Sequence, residues 1–324
     1  MDIWTRKKPS FGFISTRFAG LDGVTLETQK WVDVVAAKGC NYYFMAGQLN
    51  TAPDISYLSP KAFFQHPEIL DIQNALFEQR HRTPEMGRKI QDLKEELKKD
   101  LYQFHSQFKF DILVVQNALA IPVNIPFGLA ITEFIIETGI PTIAHHHDFF
   151  WERERFNSEA AIDYLRAAFP PIHSSIQHVV INSIAGHAFG RFTGASWTLV
   201  PNVLDFKTLP PEMDDYNRSF RRDIGLDNDT LLVLQPTRVV SRKGIETAAE
   251  LVKRLNHPKA CLVISHEAED EGGEYLSRVE EYVDFIGIDL KLVADRIGER
   301  RTTGPDGKKI YTLAEAYLNA DLVT

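Results

Sequence analysis

An α/β fold in two units, each a parallel sheet flanked by helices, is what this sequence predicts. Short runs rich in β-branched and aromatic residues alternate with helical patterns from Phe11 onward. The alternation breaks in a polar, turn-rich stretch after Asn202 and resumes at Thr230, which is the βαβ rhythm played twice. A length of 324 residues suits two domains of about 100–200 residues each. The expected boundaries are a first domain over 1–204, a linker over 205–225 and a second domain over 226–324.

The strands expected in the first domain are 11–16, 41–46, 111–116, 141–146, 177–182 and 197–200. Between the second and third lies one clear amphipathic helix. Ile90, Leu93, Leu97, Leu101, Phe104 and Phe108 form its apolar stripe, and Lys94, Glu95, Glu96, Lys98 and Lys99 lie opposite, so it reads as a cover helix and not a membrane anchor. Asn182-Ser183 follows a strand and opens a helix, with Ser183 as its cap. The stretch 205–223, with Pro210-Pro211 and Asp214-Asp215, reads as linker. In the second domain, strands are expected at 230–235, 259–265 and 290–294 and helices at 245–255, 273–286 and 313–319. Residues 302–309, holding Gly304-Pro305-Asp306-Gly307, read as a turn in an inserted loop.

The segment Thr237-Arg-Val-Val-Ser-Arg-Lys-Gly244 joins an apolar strand to a helical pattern. Arg238 offers a planar fork of donors, Lys243 a mobile point charge, and the helix start adds free amides and a positive dipole end. Together these suit a diphosphate, although two cations on a loop are also what a solvated surface looks like. The loop Ala19-Gly20-Leu21-Asp22-Gly23 also leaves a strand and enters a helix. It lacks the GxGxxG pattern, so a dinucleotide site is disfavoured.

Residues 144–156 concentrate titratable and aromatic groups just past the end of a strand: Ala-His-His-His-Asp-Phe-Phe-Trp-Glu-Arg-Glu-Arg-Phe. In open α/β sheets ligands bind at that edge. Successive strand residues alternate faces, so at most His145 and His147 converge, which is too few ligands for a metal. His145 and His146 read as packing groups. His266 with the acidic residues after it reads as a solvated loop or as a contact to a nucleotide.

Taken in chain order, Asp22-Gly23-Val24, His147-Asp148, Val200-Pro201-Asn202-Val203, Arg238 followed five residues later by Lys243-Gly244, and Leu313-Ala314-Glu315-Ala316-Tyr317 with Ala320-Asp321-Leu322 resemble the retaining glycosyltransferases of family 4. The resemblance spans nearly the whole chain. It implies a GT-B fold of two facing Rossmann-like domains with parallel sheets, acceptor bound mainly by the first and donor mainly by the second. It also implies retention of configuration, with no cofactor and no essential metal.

By the same resemblance, Gly23 contacts the donor phosphate, His147 reaches the transferred sugar, and Arg238 and Lys243 bind the departing diphosphate and stabilise its charge. From the residues themselves, Asp148 is placed to orient the imidazole and, with Glu152, Arg153 and Arg155, to bind a polar or anionic acceptor, although a solvated helix start accounts for these charges as well. The stretch 145–156 is most similar to the mannosylglucosylglycerate synthase branch, which joins mannose from GDP-mannose to an anionic glycoside. A relation to the trehalose-forming synthases would replace that acceptor with a neutral sugar. Family members continue with an acidic stretch and a final helix, so the second domain is expected to be incomplete.

A net charge of −8 argues against a general nucleic-acid binder, and Arg6-Lys7-Lys8 reads as a solvated terminus. No apolar stretch reaches the roughly 20 residues of a membrane span, and residues 1–10 lack the apolar centre of a secretory signal. The expected address is the cytoplasm. Cys40 and Cys261 are far apart and lack a CxxC spacing, so both read as buried and reduced. The expected function is transfer of a hexosyl group from GDP-mannose or UDP-glucose to a small polar acceptor. The alternative is a non-catalytic nucleotide-sugar binder that needs a partner to complete its donor site. An oxidoreductase is disfavoured by the missing glycine fingerprint and by a basic loop where an acidic ribose-binding residue is wanted.

Overall fold

A computed structural model describes residues 8–20, 22–77, 79–203, 209–267 and 273–324. Arg6 and Lys7 of the basic opening, Leu21, the start of the expected linker and the acidic residues 268–272 lie outside the described residues. The chain divides into two compact units, Met1–Leu204 and Asp205–Thr324.

The first unit runs β1 (Phe11–Ile14), α1 (Gly23–Ala37), β2 (Tyr42–Ala46), β3 (Ser56–Leu58), α2 (Pro67–Phe77), α3 (Pro84–Phe108), β4 (Ile112–Gln116), α4 (Ile125–Thr138), β5 (Thr142–His146), α5 (Ile162–Ala168), β6 (Ile176–Val180), α6 (Ser183–Thr193) and β7 (Thr198–Leu199). All seven strands pair in parallel in the order β3-β2-β1-β4-β5-β6-β7. The chain winds outward from β1 to one edge and from β4 to the other. Between β1 and β4 the winding reverses, and that is where an open α/β sheet opens a crevice at its carboxyl ends.

Thr83 caps α3 and Pro84 occupies its first turn, where a missing amide costs nothing. Ile90, Leu97, Leu101 and Phe104 are fully buried beneath it, each contributing about 1.5–3 kcal/mol over exposure. One expectation about this helix is corrected. Lys94 is only 8% exposed. Its ammonium reaches Glu133 of α4 at 2.5 Å, and Lys98 reaches Glu133 at 2.7 Å and Glu137 at 3.0 Å. The charged flank therefore packs on α4 through ion pairs. α4 is apolar nearly all round because the sheet and α3 cover it, and Asn124 caps it by accepting from the Phe127 amide at 3.0 Å. Asn182, and not Ser183, caps α6, accepting from the Ala185 amide at 2.8 Å.

The second unit runs α7 (Phe220–Asp223), β8 (Leu231–Gln235), α8 (Ile245–Leu255), β9 (Ala260–Ile264), α9 (Gly273–Ile286), β10 (Asp289–Leu292), β11 (Ile297–Gly298), β12 (Thr302–Thr303), β13 (Lys309–Thr312), α10 (Leu313–Asn319) and β14 (Leu322–Val323). A four-stranded parallel sheet has the order β10-β9-β8-β14, and β11, β13 and β12 make a small second sheet. The stretch expected to be a turn in a loop is thus framed by two short antiparallel strands, with Thr302 paired to Ile310.

The expected linker 205–225 is corrected at its second half. Asp214 accepts from the amides of Tyr216 and Asn217 at 2.9 Å each, Asn217 is fully buried, and Phe220 is fully buried with its ring 5.1 Å from that of Tyr311. Polar residues that resemble a tether are spent as local caps, which frees the apolar ones to join the core. Cys40 and Cys261 are free thiols, both buried. Among the described residues no helix is long and apolar enough to cross a membrane.

Candidate active site

In the second unit, the strand β8 is buried from Leu232 to Gln235 and ends in the basic loop. Gln235 holds that loop by donating to the Lys243 carbonyl at 2.9 Å. Residues Ser241–Lys243 form a tight turn closed by the Lys243 amide on the Val240 carbonyl at 2.9 Å. Gly244 then takes φ +61 and opens α8 with no side-chain cap. The amides of the first helical turn are thus left without intrahelical partners and their dipole end is positive.

Three cations surround that helix start. Arg238 is half-buried, Arg242 and Lys243 are exposed. Partial burial of the ammonium, then the charges of Arg242 and Arg238, hold Lys243 below the usual lysine value. At the neighbouring strand end, burial and the Arg238 charge lower His266, whose Nδ1 lies 2.7 Å from Ser265 Oγ. The Val239 amide donates to the Glu267 carbonyl at 3.4 Å, tying the two loops together. The Thr237 hydroxyl and Gln235 Oε1 are buried without a hydrogen-bond partner among the described residues. The structure thus brings Arg238 and Lys243 together and adds Arg242 and Gln235. The Arg-Lys pair directly before a glycine was the available signal for Arg242; nothing in the sequence marks Gln235.

In the first unit, the sequence-predicted residues lie past the carboxyl ends of β1 and β5. Asp22 caps α1, accepting from the amides of Val24 and Thr25 at 3.0 and 3.1 Å, and pairs with Arg17 at 3.3 Å. Gly23 is the first residue of α1, exposed, with a β-carbon there meeting nothing within 4 Å. Gly20, at φ +77, is the residue of this loop whose backbone needs glycine.

The three histidines part as strand alternation demands. His146 turns to one face, fully enclosed with His178, its Nε2 3.0 Å from His178 Nδ1, and stacks near Phe149 and Phe189. His145 and His147 share the other face, ring centres 4.6 Å apart, with Trp31 of α1 4.7 Å from His145. His145 Nδ1 meets Gln116 Oε1 at 2.9 Å, and burial with the neighbouring His147 pushes its pKa down to about 3. Burial also lowers His147, opposed by the carboxylates of Asp148, Glu27 and Asp22. His147 is therefore a neutral imidazole near neutral pH, with Nε2 buried and without a partner among the described residues. Among the described residues no three His, Cys, Asp or Glu side chains are grouped to hold a metal ion.

Asp148 accepts from Asn117 Nδ2 at 2.9 Å and pairs with Arg153; its carboxylate is spent on these two and not on the His147 ring. Partial burial and the Asp148 charge push the Glu152 carboxyl up. Arg155 lies with its guanidinium 4.6 Å from the Phe156 ring centre. Sequence reasoning missed Asn117, which links β4 to both His147 and Asp148.

No family model matches the chain. It is 27% identical to mannosylglucosylglycerate synthase of Petrotoga mobilis, over 97% of this chain and 76% of that protein. Among solved structures, Anabaena HepE in complex with UDP-glucose matches 97% of this chain and 73% of its own, with a TM-score of 0.59 and 11% identity. WaaG, a glycosyltransferase involved in lipopolysaccharide biosynthesis, matches 97% and 74% with a TM-score of 0.58, also at 11% identity. In fold the chain is therefore an α/β protein of the GT-B kind seen in glycosyltransferases, and in sequence it is similar to a mannosylglucosylglycerate synthase.

Proposed function

We propose that the protein is a hexosyltransferase that moves a sugar from a nucleoside-diphosphate sugar, GDP-mannose or UDP-glucose, to a small polar or anionic acceptor with retention of configuration. The observation that carries this reading is the cationic loop at the start of α8, where Arg238, Arg242 and Lys243 crowd an uncapped helix end. The named synthase among its relatives supports a glycoside acceptor.

In the reaction, Arg238, Lys243 and the α8 amides stabilise the charge that grows on the departing diphosphate, an oxyanion-hole type of catalysis. No essential metal is needed because fixed side-chain cations neutralise that charge. His147, neutral and with a free ring nitrogen, hydrogen-bonds the transferred sugar. Gly23 lets backbone approach the donor phosphate. Glu152, Arg153 and Arg155 bind the acceptor, and Asp148 acts through Arg153. The leaving phosphate takes the acceptor's proton on the face from which it departs.

The test is acceptor-dependent release of GDP or UDP from the two donors, offering glucosylglycerate and neutral disaccharides as acceptors and reading the product's anomeric configuration by NMR. Release that needs an acceptor and gives a retained anomer is expected. An inverted product would refute the retaining mechanism, and tight diphosphate binding without turnover would make the chain a non-catalytic nucleotide-sugar binder.

A further inference from the structure

Asn117 stands where β4 ends and takes φ +59, a left-handed conformation that asparagine tolerates better than other side chains. It is 8% exposed, and all its polar groups are spent nearby. Its amide donates to the His145 carbonyl at 2.9 Å, continuing the parallel ladder one step past the strand. Its carbonyl accepts from the Ala120 amide at 3.1 Å. The side chain then takes over from its own backbone: Oδ1 accepts from the His147 amide at 3.0 Å, the bond the Asn117 carbonyl would have made in a continued strand, and Nδ2 donates to Asp148 Oδ1 at 2.9 Å.

A plain strand continuation would carry its side chain away from β5. The left-handed turn redirects the amide group of Asn117 sideways, so one residue holds the backbone of His147 and the carboxylate of Asp148 together. Asp148 in turn holds Arg153. Left-handed non-glycine residues cluster where the surrounding structure over-determines them, commonly at functional sites. We infer that Asn117 is a positioning residue for sugar transfer, fixing His147 and the Asp148–Arg153 pair at the switch point of the first sheet; this rests on the reading of His147 and Arg153 as sugar and acceptor contacts.

Two substitutions separate the backbone role from the side-chain role. Asn117→Gly keeps the left-handed backbone and deletes both side-chain hydrogen bonds. Asn117→Asp keeps an oxygen for the His147 amide and loses the donor to Asp148. With GDP-mannose or UDP-glucose as donor, Asn117→Gly should lower kcat about 100-fold, as small misplacements at reacting centres do, and leave the donor KM within about twofold. Its thermal midpoint should stay close to wild type, and Asn117→Asp should recover part of the lost kcat.

Full kcat in Asn117→Gly would overturn the inference, as would a loss of kcat that merely follows a lowered midpoint. If the wild type uses neither donor, the functional reading fails and positioning is read from the His147 backbone amide by NMR. That amide should shift in Asn117→Gly and hold its place in Asn117→Asp; an amide unmoved in both overturns the inference.

Discussion

Gly23 and Gly244, at the starts of α1 and α8, differ in what their backbones require, and alanine at each should change stability in opposite directions. Gly244 has φ +61 and opens α8. A β-carbon there would meet Thr247 Oγ1 at 3.7 Å and Cβ at 3.9 Å, ordinary contact, so no clash contributes. The cost is conformational: about 1–2 kcal/mol for an L side chain in the left-handed region, offset by about 0.4–1 kcal/mol from restricting the unfolded chain. Gly244→Ala should therefore destabilise by about 1 kcal/mol, within the bounds those two terms set. Gly23 is the first residue of α1 with open space around it, so Gly23→Ala should gain about 0.4–1 kcal/mol. Urea unfolding followed by circular dichroism reads both, and GDP titration beside it should show weaker binding in Gly244→Ala, whose relaxed loop displaces Lys243. Midpoints moving in the same direction would refute the conformational argument, because it assigns the difference to the sign of φ alone.

Phe220→Ala should cost about 3–5 kcal/mol, the range for a fully buried phenylalanine, whereas a residue in a solvated linker would cost almost nothing; a mild effect in urea unfolding would return 214–224 to the linker. Stability should also fall in acid through the buried histidines. His145 and His178 have folded pKa values pushed down by burial to about 3 and about 4 from 6.5. The unfolded chain then binds more protons below 6.5, so stability present above that pH is lost as pH falls, by roughly 1.4 kcal/mol per unit for each such group. Unfolding free energies at pH 7, 6 and 5 should decline, less steeply in His145→Gln, and equal slopes in the two proteins would contradict the assignment.

Much of this fold is written in periodicity. The helices Ile245–Leu255, Gly273–Ile286 and Leu313–Asn319 coincide with their apolar patterns, and the strands differ only by a residue or two at their ends, where an apolar run outlasts its hydrogen-bonded partner. What escaped lacks such a period. β3 is three partly exposed residues at a sheet edge, and α4 is apolar apart from the Glu133–Glu137 stripe that pairs with α3, because most of its surface is covered. The second half of the expected linker hid Phe220 among polar residues that serve as local caps. The cationic loop was legible because charge, a strand end and a helix start sit within eight residues, Thr237 to Gly244. Asn117 was not, since its importance comes from a left-handed φ and from partners about thirty residues away in sequence.

The proposed donor site holds a diphosphate through Arg238, Lys243 and the start of α8. Calorimetric titration of the protein with GDP, UDP and ADP, beside the Arg238→Ala, Lys243→Ala double variant, tests it most directly. Each charge-assisted hydrogen bond lost is worth about 1.5–3 kcal/mol, so the double variant should bind its preferred nucleotide at least about 100-fold more weakly. Saturable binding by wild type that the double variant loses is the predicted result. Equal affinity in both proteins, or no binding of any of the three by the folded wild type, would rule out a diphosphate site at this loop.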